Sequence, residues 1–519
     1  MNFTKSACLS LALTLMYSFS LRAQELPLLG TLKLGPHAVG LKTELTYDYS
    51  RTFNTPKYNY DGEFQKGERA RDIAITVWFP AVKPSKPVVM RFEEYFFPAA
   101  DEISEQVKIA TRQGLKNSPM GQNVAQEKFD QVLNTPTAVV KNATAQTGSF
   151  PVLVLAQGLG LPPNSHAAMC EYLASHGYIV ATSASRGAAN NQMTFDLVGG
   201  EAQARDMEFI IGFMRNFPNA DKDKLGVMGF SFGGIPAATL AMRNTDVDAC
   251  LSLDSAIGDN GGYSLLYRSP YFKPASVRAA FMHMARQSND ANAPAGDRNF
   301  YRSIKFADKY WLALQGQRHF DFTTIGAVAS IAPEYAAFAG PKTGNTMLGH
   351  ETVCRYALHF FNAYVKRDPT AKSFLQKRPE ENGLPSGFAT LEAQPGKKAP
   401  PSENEIANII TTGGFEEVAE LYRRMQKEDP EIVLFEENMM NILGYQLLQG
   451  QRLEDAIDVF KLNIEAYPDS WNVYDSLGEA YGIQGDVPKA IEFYSKALEM
   501  NPGDRRIEQI LVELKNKKQ

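Results

Sequence analysis

The chain has 519 residues, more than one ordinary domain needs, so two modules or one with large insertions are expected. Apolar residues make up 44% and charged residues 21% of the sequence, proportions typical of a globular protein and not of a disordered one. The formal net charge of −5 at pH 7 argues against a nucleic-acid partner and against an anionic membrane surface as target.

Residues 1–23 have the features of a secretory signal peptide. Lys5 precedes an uncharged, largely apolar run from Ser6 to Leu21, and cleavage is expected after Ala23. The run is too short to be a comfortable membrane span, which needs about 20 apolar residues. We therefore expect an exported protein, periplasmic or extracellular, without a transmembrane segment.

Residues 24–390 alternate short apolar runs with helical patterns. Strands are predicted at "IAITVWF", "PVLVLA", "YIVATSA", "KLGVMGF", "ACLSLD", "AAFMHMA" and "YWLALQG". Apolar residues at helical spacing, as from Ala204 to Met214, mark the intervening helices. Strands that alternate with helices predict a mainly parallel sheet covered on both faces. Residues 83–149 break this alternation with two helix-like runs and are predicted to be a helical insertion.

Ser231 lies in the pattern Gly-Phe-Ser-Phe-Gly, where a predicted strand meets a predicted helix with no room for a loop. Side chains two positions before and two positions after the serine would collide, so Gly229 and Gly233 are required there. The arrangement is typical of a nucleophile elbow and predicts Ser231 as a catalytic nucleophile. A chance G-x-S-x-G in a glycine-rich loop is the alternative, which the flanking strand and helix disfavour.

A serine hydroxyl becomes a good nucleophile when a base takes its proton and a third group orients that base. Asp254 ends the next strand, at the sheet edge expected for Ser231, and His319 lies just past the last predicted strand. The chain order Ser, Asp, His is that of α/β-hydrolases. Asp254 could instead cap the following helix. Three other residues compete for the two roles: Asp259 for the acid, and His283 and His350 for the base.

The negative charge formed during acyl transfer needs two N–H donors. One is expected from the backbone of Phe232, the residue after the nucleophile, and the other from Leu159 in the loop after "PVLVLA". An ordinary glycine turn is the alternative interpretation of that loop. The sequence has no H-E-x-x-H motif and no paired cysteines, so neither a metal ion nor another cofactor is expected.

Residues 391–405 are rich in Pro, Lys and Glu, lack apolar periodicity, and are predicted to be a linker. Residues 406–519 then repeat with a period of 34: Leu443-Gly444, Ala456, Phe460 and Pro468 recur as Leu477-Gly478, Ala490, Tyr494 and Pro502. This pattern resembles the tetratricopeptide repeat, with a looser earlier copy and a C-terminal capping helix at "RRIEQILVELKNKK". The resemblance implies a groove suited to a protein or peptide partner.

Eight segments between about Gly35 and Asp368 form a distinctive set: "GPHAVG", "VWFPA", "PVLVLAQGLG", "LASHGYIV", "GFSFGG", "LSLDSA", "HFDF" and "HFFNAYVKRD". Together they resemble the platelet-activating-factor acetylhydrolase family and its dienelactone-hydrolase-like relatives. The resemblance implies a cofactor-independent acyl hydrolase. For the site it implies Ser231, Asp254 and His319 as the triad and Leu159 and Phe232 as backbone donors. The chain departs from the family at Gln157-Gly158, where such enzymes have His-Gly.

The predicted architecture is an α/β-hydrolase domain with a helical insertion, followed by an all-α tetratricopeptide-repeat domain. The predicted function is an exported serine hydrolase that cleaves a small-molecule carboxylic ester, such as a lipid or acetyl ester, through an acyl-enzyme. A peptidase with the same triad is one alternative. An inactive scaffold whose repeats bind a protein partner is the other, which an intact triad disfavours.

Overall fold

The structure is a computed structural model that describes residues 26–53, 57–58, 62–65, 70–97, 103–287, 298–339, 344–401, 405–406, 408–410, 414–428, 430 and 432–517. The predicted signal peptide, residues 1–23, lies outside the described residues. The chain divides into two compact units, Met1–Lys397 and Lys398–Gln519. Within the described ranges, no helix has both the length and the apolar character needed to cross a membrane.

The first unit is a mixed sheet with helices on both faces. Its strands are β1 (Ala38–Asp48), β2 (Lys57–Tyr58), β3 (Phe64–Gln65), β4 (Arg71–Ala81), β5 (Val89–Arg91), β6 (Pro136–Val140), β7 (Phe150–Ala156), β8 (Ile179–Thr182), β9 (Ala220–Phe230), β10 (Val247–Leu253), β11 (Ala280–Gln287), β12 (Lys309–Gln315) and β13 (Ala389–Gln394). Its helices are α1 (Glu105–Asn117), α2 (Gln126–Leu133), α3 (Ala167–Ser175), α4 (Leu197–Met214), α5 (Gly234–Arg243), α6 (Asn260–Tyr267), α7 (Asn299–Ser303), α8 (Thr324–Ile331), α9 (Thr346–Tyr364) and α10 (Pro369–Gln376).

The strands of the main sheet lie in the order β13-β12-β11-β10-β9-β7-β8-β4-β1-β6-β5, with β2 and β3 paired separately. From β12 to β8 the neighbouring strands are parallel, whereas β13 pairs antiparallel with β12 and β4 pairs antiparallel with β8. Leu253, the last residue of β10, pairs with Phe230, the last residue of β9, so the two strands end at the same position across the sheet. Asp254 and Ser231 therefore leave the same edge of the sheet.

Successive residues of the central strands are buried on opposite faces. Leu153 and Leu155 of β7 pack in one core with residues of α3, α8 and α9, and Val152 and Val154 pack in the other with residues of α4 and α5. Burial on both faces explains why these strands are continuous apolar runs. All seven strands predicted from such runs are present.

Two predicted segments contain strands that their sequences did not reveal. Residues 83–149 hold the two expected helices, α1 and α2, but also β5 and β6, and β6 extends the sheet beside β1. The predicted helical insertion therefore also contributes two strands, which the sequence did not reveal because strands of three and five residues are too short to show a period.

The linker was predicted at residues 391–405, but the structure shows that its first residues belong to the first unit. Leu391 pairs with Leu312 as part of β13, and the N–H of Gly396 donates to Asp308 Oδ1 at 2.9 Å. The first unit thus continues to Lys397. An edge strand is paired on one side only, so it has polar, partly exposed residues and resembles a linker in sequence.

A buried chain of hydrogen bonds ties the insertion to the core of the first unit. Trp78 Nε1–H donates to Tyr95 Oη (2.8 Å), and the Tyr95 hydroxyl donates to Glu171 Oε1 (2.6 Å). Glu171 Oε2 accepts the N–H of Ala138 (2.7 Å). Burial raises the pKa of Glu171 to about 7, because these hydrogen bonds only partly offset the loss of solvation.

The second unit is helical. Its helices include α11 (Phe415–Glu428), α12 (Glu437–Gln449), α13 (Leu453–Ala466), α14 (Trp471–Gln484), α15 (Val487–Met500) and α16 (Arg505–Lys517). A Cβ on Gly444 would lie 2.3 Å from the ring of Phe460, and one on Gly478 would lie 3.0 Å from the ring of Tyr494. Each glycine therefore lets the two helices of a repeat cross closely, at positions 34 residues apart, as the sequence predicted.

Candidate active site

Ser231 stands at a sharp turn between β9 and α5. Its φ is 54°, in the left-handed region that costs a non-glycine residue about 1–2 kcal/mol. A Cβ on Gly229 would lie 2.0 Å from the carbonyl oxygen of Gly233, and one on Gly233 would lie 2.3 Å from that of Ala156. Only glycine fits at these two positions. The turn holds the Ser231 side chain at the edge of the sheet, partly exposed.

His319 joins Ser231 to Asp254. Its Nε2 lies 2.9 Å from Ser231 Oγ, and its Nδ1 lies 2.5 Å from Asp254 Oδ2. The carboxylate can only accept at neutral pH, so Nδ1 carries the proton and Nε2 accepts the Ser231 hydroxyl. The structure thus brings together the three residues predicted from the sequence, in the geometry of a nucleophile, a base and an orienting acid.

Asp254 is held by three further hydrogen bonds from β11. Its N–H donates to the Met284 carbonyl at 2.6 Å, while Oδ1 accepts the Arg286 N–H and Oδ2 accepts Arg286 Nη1–H, both at 3.0 Å. Burial alone would raise the pKa of Asp254, but the hydrogen bond with His319 and the charge of Arg286 outweigh it and lower that pKa. The carboxylate is therefore ionised at neutral pH.

The turn that carries His319 is fixed by packing and by an ion pair. The His319 ring stacks on Phe230, with centroids 4.7 Å apart. Next to it, Arg318 donates to buried Asp321 through its backbone N–H (2.8 Å) and its guanidinium (2.9 Å). These contacts limit the freedom of the imidazole before any substrate arrives.

The competing residues have other partners. His283 Nδ1 lies 2.7 Å from Ser252 Oγ, and burial lowers the pKa of His283 to about 4. His350 is buried beside Cys354, and burial lowers its pKa to about 4 as well. Asp259 caps α6 by accepting the Gly262 N–H at 2.7 Å. The cap that the sequence allowed for Asp254 is thus provided by Asp259.

The loop after β7 lies against the nucleophile. A Cβ on Gly158 would be 3.2 Å from Ser231 Cβ and 3.0 Å from the Phe230 ring, which is closer than ordinary van der Waals contact. The next residue is Leu159, and Phe232 directly follows Ser231. The two backbone N–H groups predicted as oxyanion donors therefore belong to residues on the two segments next to Ser231.

Gln157, which replaces the histidine expected from the family resemblance, is fully buried and anchors this loop. Its Oε1 accepts from His166 Nδ1 at 2.9 Å, and Gln203 Nε2 donates to its carbonyl oxygen at 2.8 Å. Its Nε2 donates to Pro163 O (3.0 Å) and Thr182 Oγ1 (3.2 Å). Both ends of the amide are thus hydrogen-bonded, and glutamine here gives a well-tethered loop.

Two exposed apolar side chains flank the site. Leu159 is 44% exposed, and Phe195 is 51% exposed with its ring 5.3 Å from that of Phe232.

No group of three or more His, Cys, Asp or Glu suited to hold a metal ion occurs in the part of the chain that the structure describes.

Sequence reasoning missed Arg286 and the network around Gln157. Arg286 contacts Asp254 only because β11 is the neighbour of β10, a pairing that no local pattern shows. The available signal was an arginine directly after the next strand predicted along the chain, "AAFMHMA".

Comparison with known proteins finds similarity in both units of the chain. Residues 70–326, which include Ser231, Asp254 and His319, match the family of X-Pro dipeptidyl-peptidases (S15 family), and residues 471–504 match the tetratricopeptide repeat. Among solved structures, a ferulic acid esterase from Streptomyces cinnamoneus is similar at 18% identity and a TM-score of 0.49, over 70% of this chain and 98% of that one. The chain thus has an α/β-hydrolase fold that is similar, over the segment holding the site, to the S15 hydrolases, followed by a region with a tetratricopeptide repeat.

Proposed function

We propose that this protein is a serine hydrolase that cleaves carboxylic esters through an acyl-enzyme. The observation that carries the proposal is the continuous hydrogen-bonded chain from Ser231 Oγ through His319 to Asp254, set on a strained turn. The S15 match over the same residues supports hydrolysis as the reaction class.

In the first half-reaction, Ser231 Oγ attacks the ester carbonyl carbon while His319 Nε2 takes the hydroxyl proton. Asp254 stabilises the imidazolium that forms and keeps its Nδ1–H pointed at the carboxylate. The N–H groups of Leu159 and Phe232 donate to the oxyanion of the tetrahedral intermediate. When the intermediate collapses, the C–O bond to the alcohol breaks, and His319 gives its proton to the departing alkoxide.

In the second half-reaction, water replaces the alcohol. His319 removes a proton from water, the hydroxide attacks the acyl carbon, and the same two N–H groups stabilise the second oxyanion. Collapse releases the carboxylic acid and returns the proton to Ser231 Oγ. The cycle consumes one ester and one water and needs no cofactor.

Two exposed apolar side chains near the segments beside Ser231 favour an ester with an apolar group. Leu159 and Phe195 offer apolar contacts to a substrate.

The S15 match favours a dipeptidyl-peptidase as the second candidate, because members of that family are described as X-Pro dipeptidyl-peptidases. Steady-state hydrolysis separates the two. We expect p-nitrophenyl acetate and butyrate to be turned over by the wild type and not by Ser231→Ala, with little release of p-nitroaniline from Ala-Pro-p-nitroanilide. Faster cleavage of the anilide than of both esters would favour the peptidase. If Ser231→Ala were as active as the wild type, Ser231 would not be the nucleophile.

The proposal includes export and a protein partner. Residues 1–23 would direct the chain to the periplasm or the cell exterior, where a small acyl or lipid ester is the expected substrate. The repeats of the second unit would bind a protein or peptide. N-terminal sequencing of the mature protein and fractionation of the cells test the first point, since a retained Met1 in the cytoplasm would contradict it.

A further inference from the structure

The contact between Arg286 and Asp254 has two parts. The backbone N–H of Arg286 holds Oδ1, and its guanidinium holds Oδ2, the oxygen that also accepts from His319 Nδ1. Asp254 itself has a φ of 36°, a strained conformation that needs support from its surroundings. Both Arg286 contacts come from the end of β11, the strand that pairs with β10.

We propose that Arg286 is a positioning residue that fixes the Asp254 carboxylate and sets the lowest pH at which the triad works. The inference rests on the proposed function and concerns the regulation of the same site. Arg286 has no contact with the reacting atoms; it acts through Asp254.

The orienting effect follows from geometry. With both oxygens engaged by Arg286, the carboxylate plane cannot rotate about the bond to Cβ without breaking a hydrogen bond. One oxygen therefore stays 2.5 Å from His319 Nδ1. Loss of the side chain leaves the backbone N–H to Oδ1, so the carboxylate keeps one tether and loses the other.

The electrostatic effect has a definite sign. The Arg286 charge helps to lower the pKa of the buried Asp254 carboxyl. Asp254 and His319 share a hydrogen bond and take up a proton as a pair. Removing the positive charge makes that uptake easier, so the acid limb of the rate profile must move to higher pH.

Among the residues that the structure describes, the other charged groups near the pair do not reproduce this effect. His166 and His283 approach His319 and Asp254 from the neighbouring elements, but burial lowers their pKa values to about 3 and about 4, so both are neutral near pH 7. On the turn of His319, Arg318 and Asp321 form an ion pair with each other. Arg286 is therefore the charge whose removal is expected to act on the triad.

The test uses the pH dependence of Ser231 labelling by a fluorophosphonate probe, which requires no knowledge of the substrate. The second-order labelling rate is measured from pH 4.5 to 9 for the full-length wild type, Arg286→Gln and Arg286→Lys. Arg215→Gln is the matched control, because Arg215 is about as exposed as Arg286 (53% against 51%) and also pairs with an aspartate, Asp246, but lies away from the triad.

We expect the acid-side midpoint of Arg286→Gln to rise by about 0.3–1 pH unit, since a half-exposed charge is partly screened. The plateau rate should fall by about 2–10-fold, an orientation effect well below that of losing a triad member. Arg286→Lys, which keeps the charge, should retain a midpoint close to the wild type, as should Arg215→Gln. Thermal unfolding of each variant shows whether it is folded.

An unmoved midpoint in folded Arg286→Gln would overturn the proposal, as would a midpoint in Arg286→Lys that moves equally far. Failure of the proposed function looks different. In that case the wild type itself would not be labelled at Ser231, and this inference would be overturned with it.

Discussion

Replacing Gly233 by alanine places a methyl group against the backbone of the loop that borders Ser231. The new Cβ would lie 2.3 Å from the carbonyl oxygen of Ala156 and 2.8 Å from that of Gln157. Both neighbours are backbone atoms, so no side chain can rotate to relieve the contact. Either the end of β7 or the start of α5 must move.

The size of the effect follows from this distance. Ordinary van der Waals contact begins at 3.4 Å, so the shortfall is about 1 Å. A displacement of about 1 Å between nucleophile and oxyanion donors costs roughly 100-fold in rate. Forcing a methyl group into a packed site costs about 1–3 kcal/mol of folding free energy.

The assay is the second-order rate of Ser231 phosphonylation together with kcat/KM on p-nitrophenyl acetate, with urea unfolding for stability. Gly212→Ala is the matched control, because Gly212 lies in α4 with nothing within 4 Å of the added Cβ. That variant should keep full activity and gain up to about 1 kcal/mol from helix propensity. A Gly233→Ala protein with rates within threefold of wild type and unchanged unfolding free energy would refute the reasoning.

Three further predictions concern stability, metal ions and the second unit. Burial raises the pKa of Glu171 to about 7 from 4.5, so the stability due to its tightly held proton is greatest below pH 4.5 and is lost as the pH rises through about 7. Relative to Glu171→Gln, the free energy of unfolding of the wild type should therefore fall by up to about 3 kcal/mol between pH 4.5 and 8. If urea unfolding shows that the two proteins depend on pH in the same way, this prediction is contradicted. EDTA should leave ester hydrolysis unchanged, because backbone N–H groups stabilise the oxyanion; activity lost in EDTA and restored by a divalent metal would show otherwise. A chain that ends at Lys398 should hydrolyse a small soluble ester with kcat/KM within a few-fold of the full chain. If circular dichroism shows it folded but kcat is more than about tenfold lower, a loss of about 1.4 kcal/mol, the repeats help to build the site.

The sequence predicted the elements whose surroundings leave a local signature. Strands buried on both faces must be apolar throughout, and β7, β9 and β10 were recognised for that reason. Ser231 and Asp254 could be assigned to one sheet edge because both directly follow such strands. The turn at Ser231 was recognisable because only glycine fits two positions before and after it.

What the sequence did not reveal depends on contacts between distant segments. β6 has only five residues, and β13 lies at the edge of the sheet. Neither strand therefore needs a strong apolar pattern in its sequence. The role of Arg286 depends on β11 lying beside β10, and the anchoring of Gln157 depends on His166 and Gln203. These partners are fixed by strand order and helix packing, which a single sequence does not show.

The central claim, that Ser231 is a nucleophile activated by His319, is tested most directly by locating a covalent adduct. Full-length protein is incubated with a fluorophosphonate probe, and the modified peptide is identified by mass spectrometry. We expect one adduct, on Ser231, absent in Ser231→Ala and formed at least about 10⁴-fold more slowly in His319→Ala. An adduct on another serine, or equal labelling of Ser231 in His319→Ala, would contradict the account.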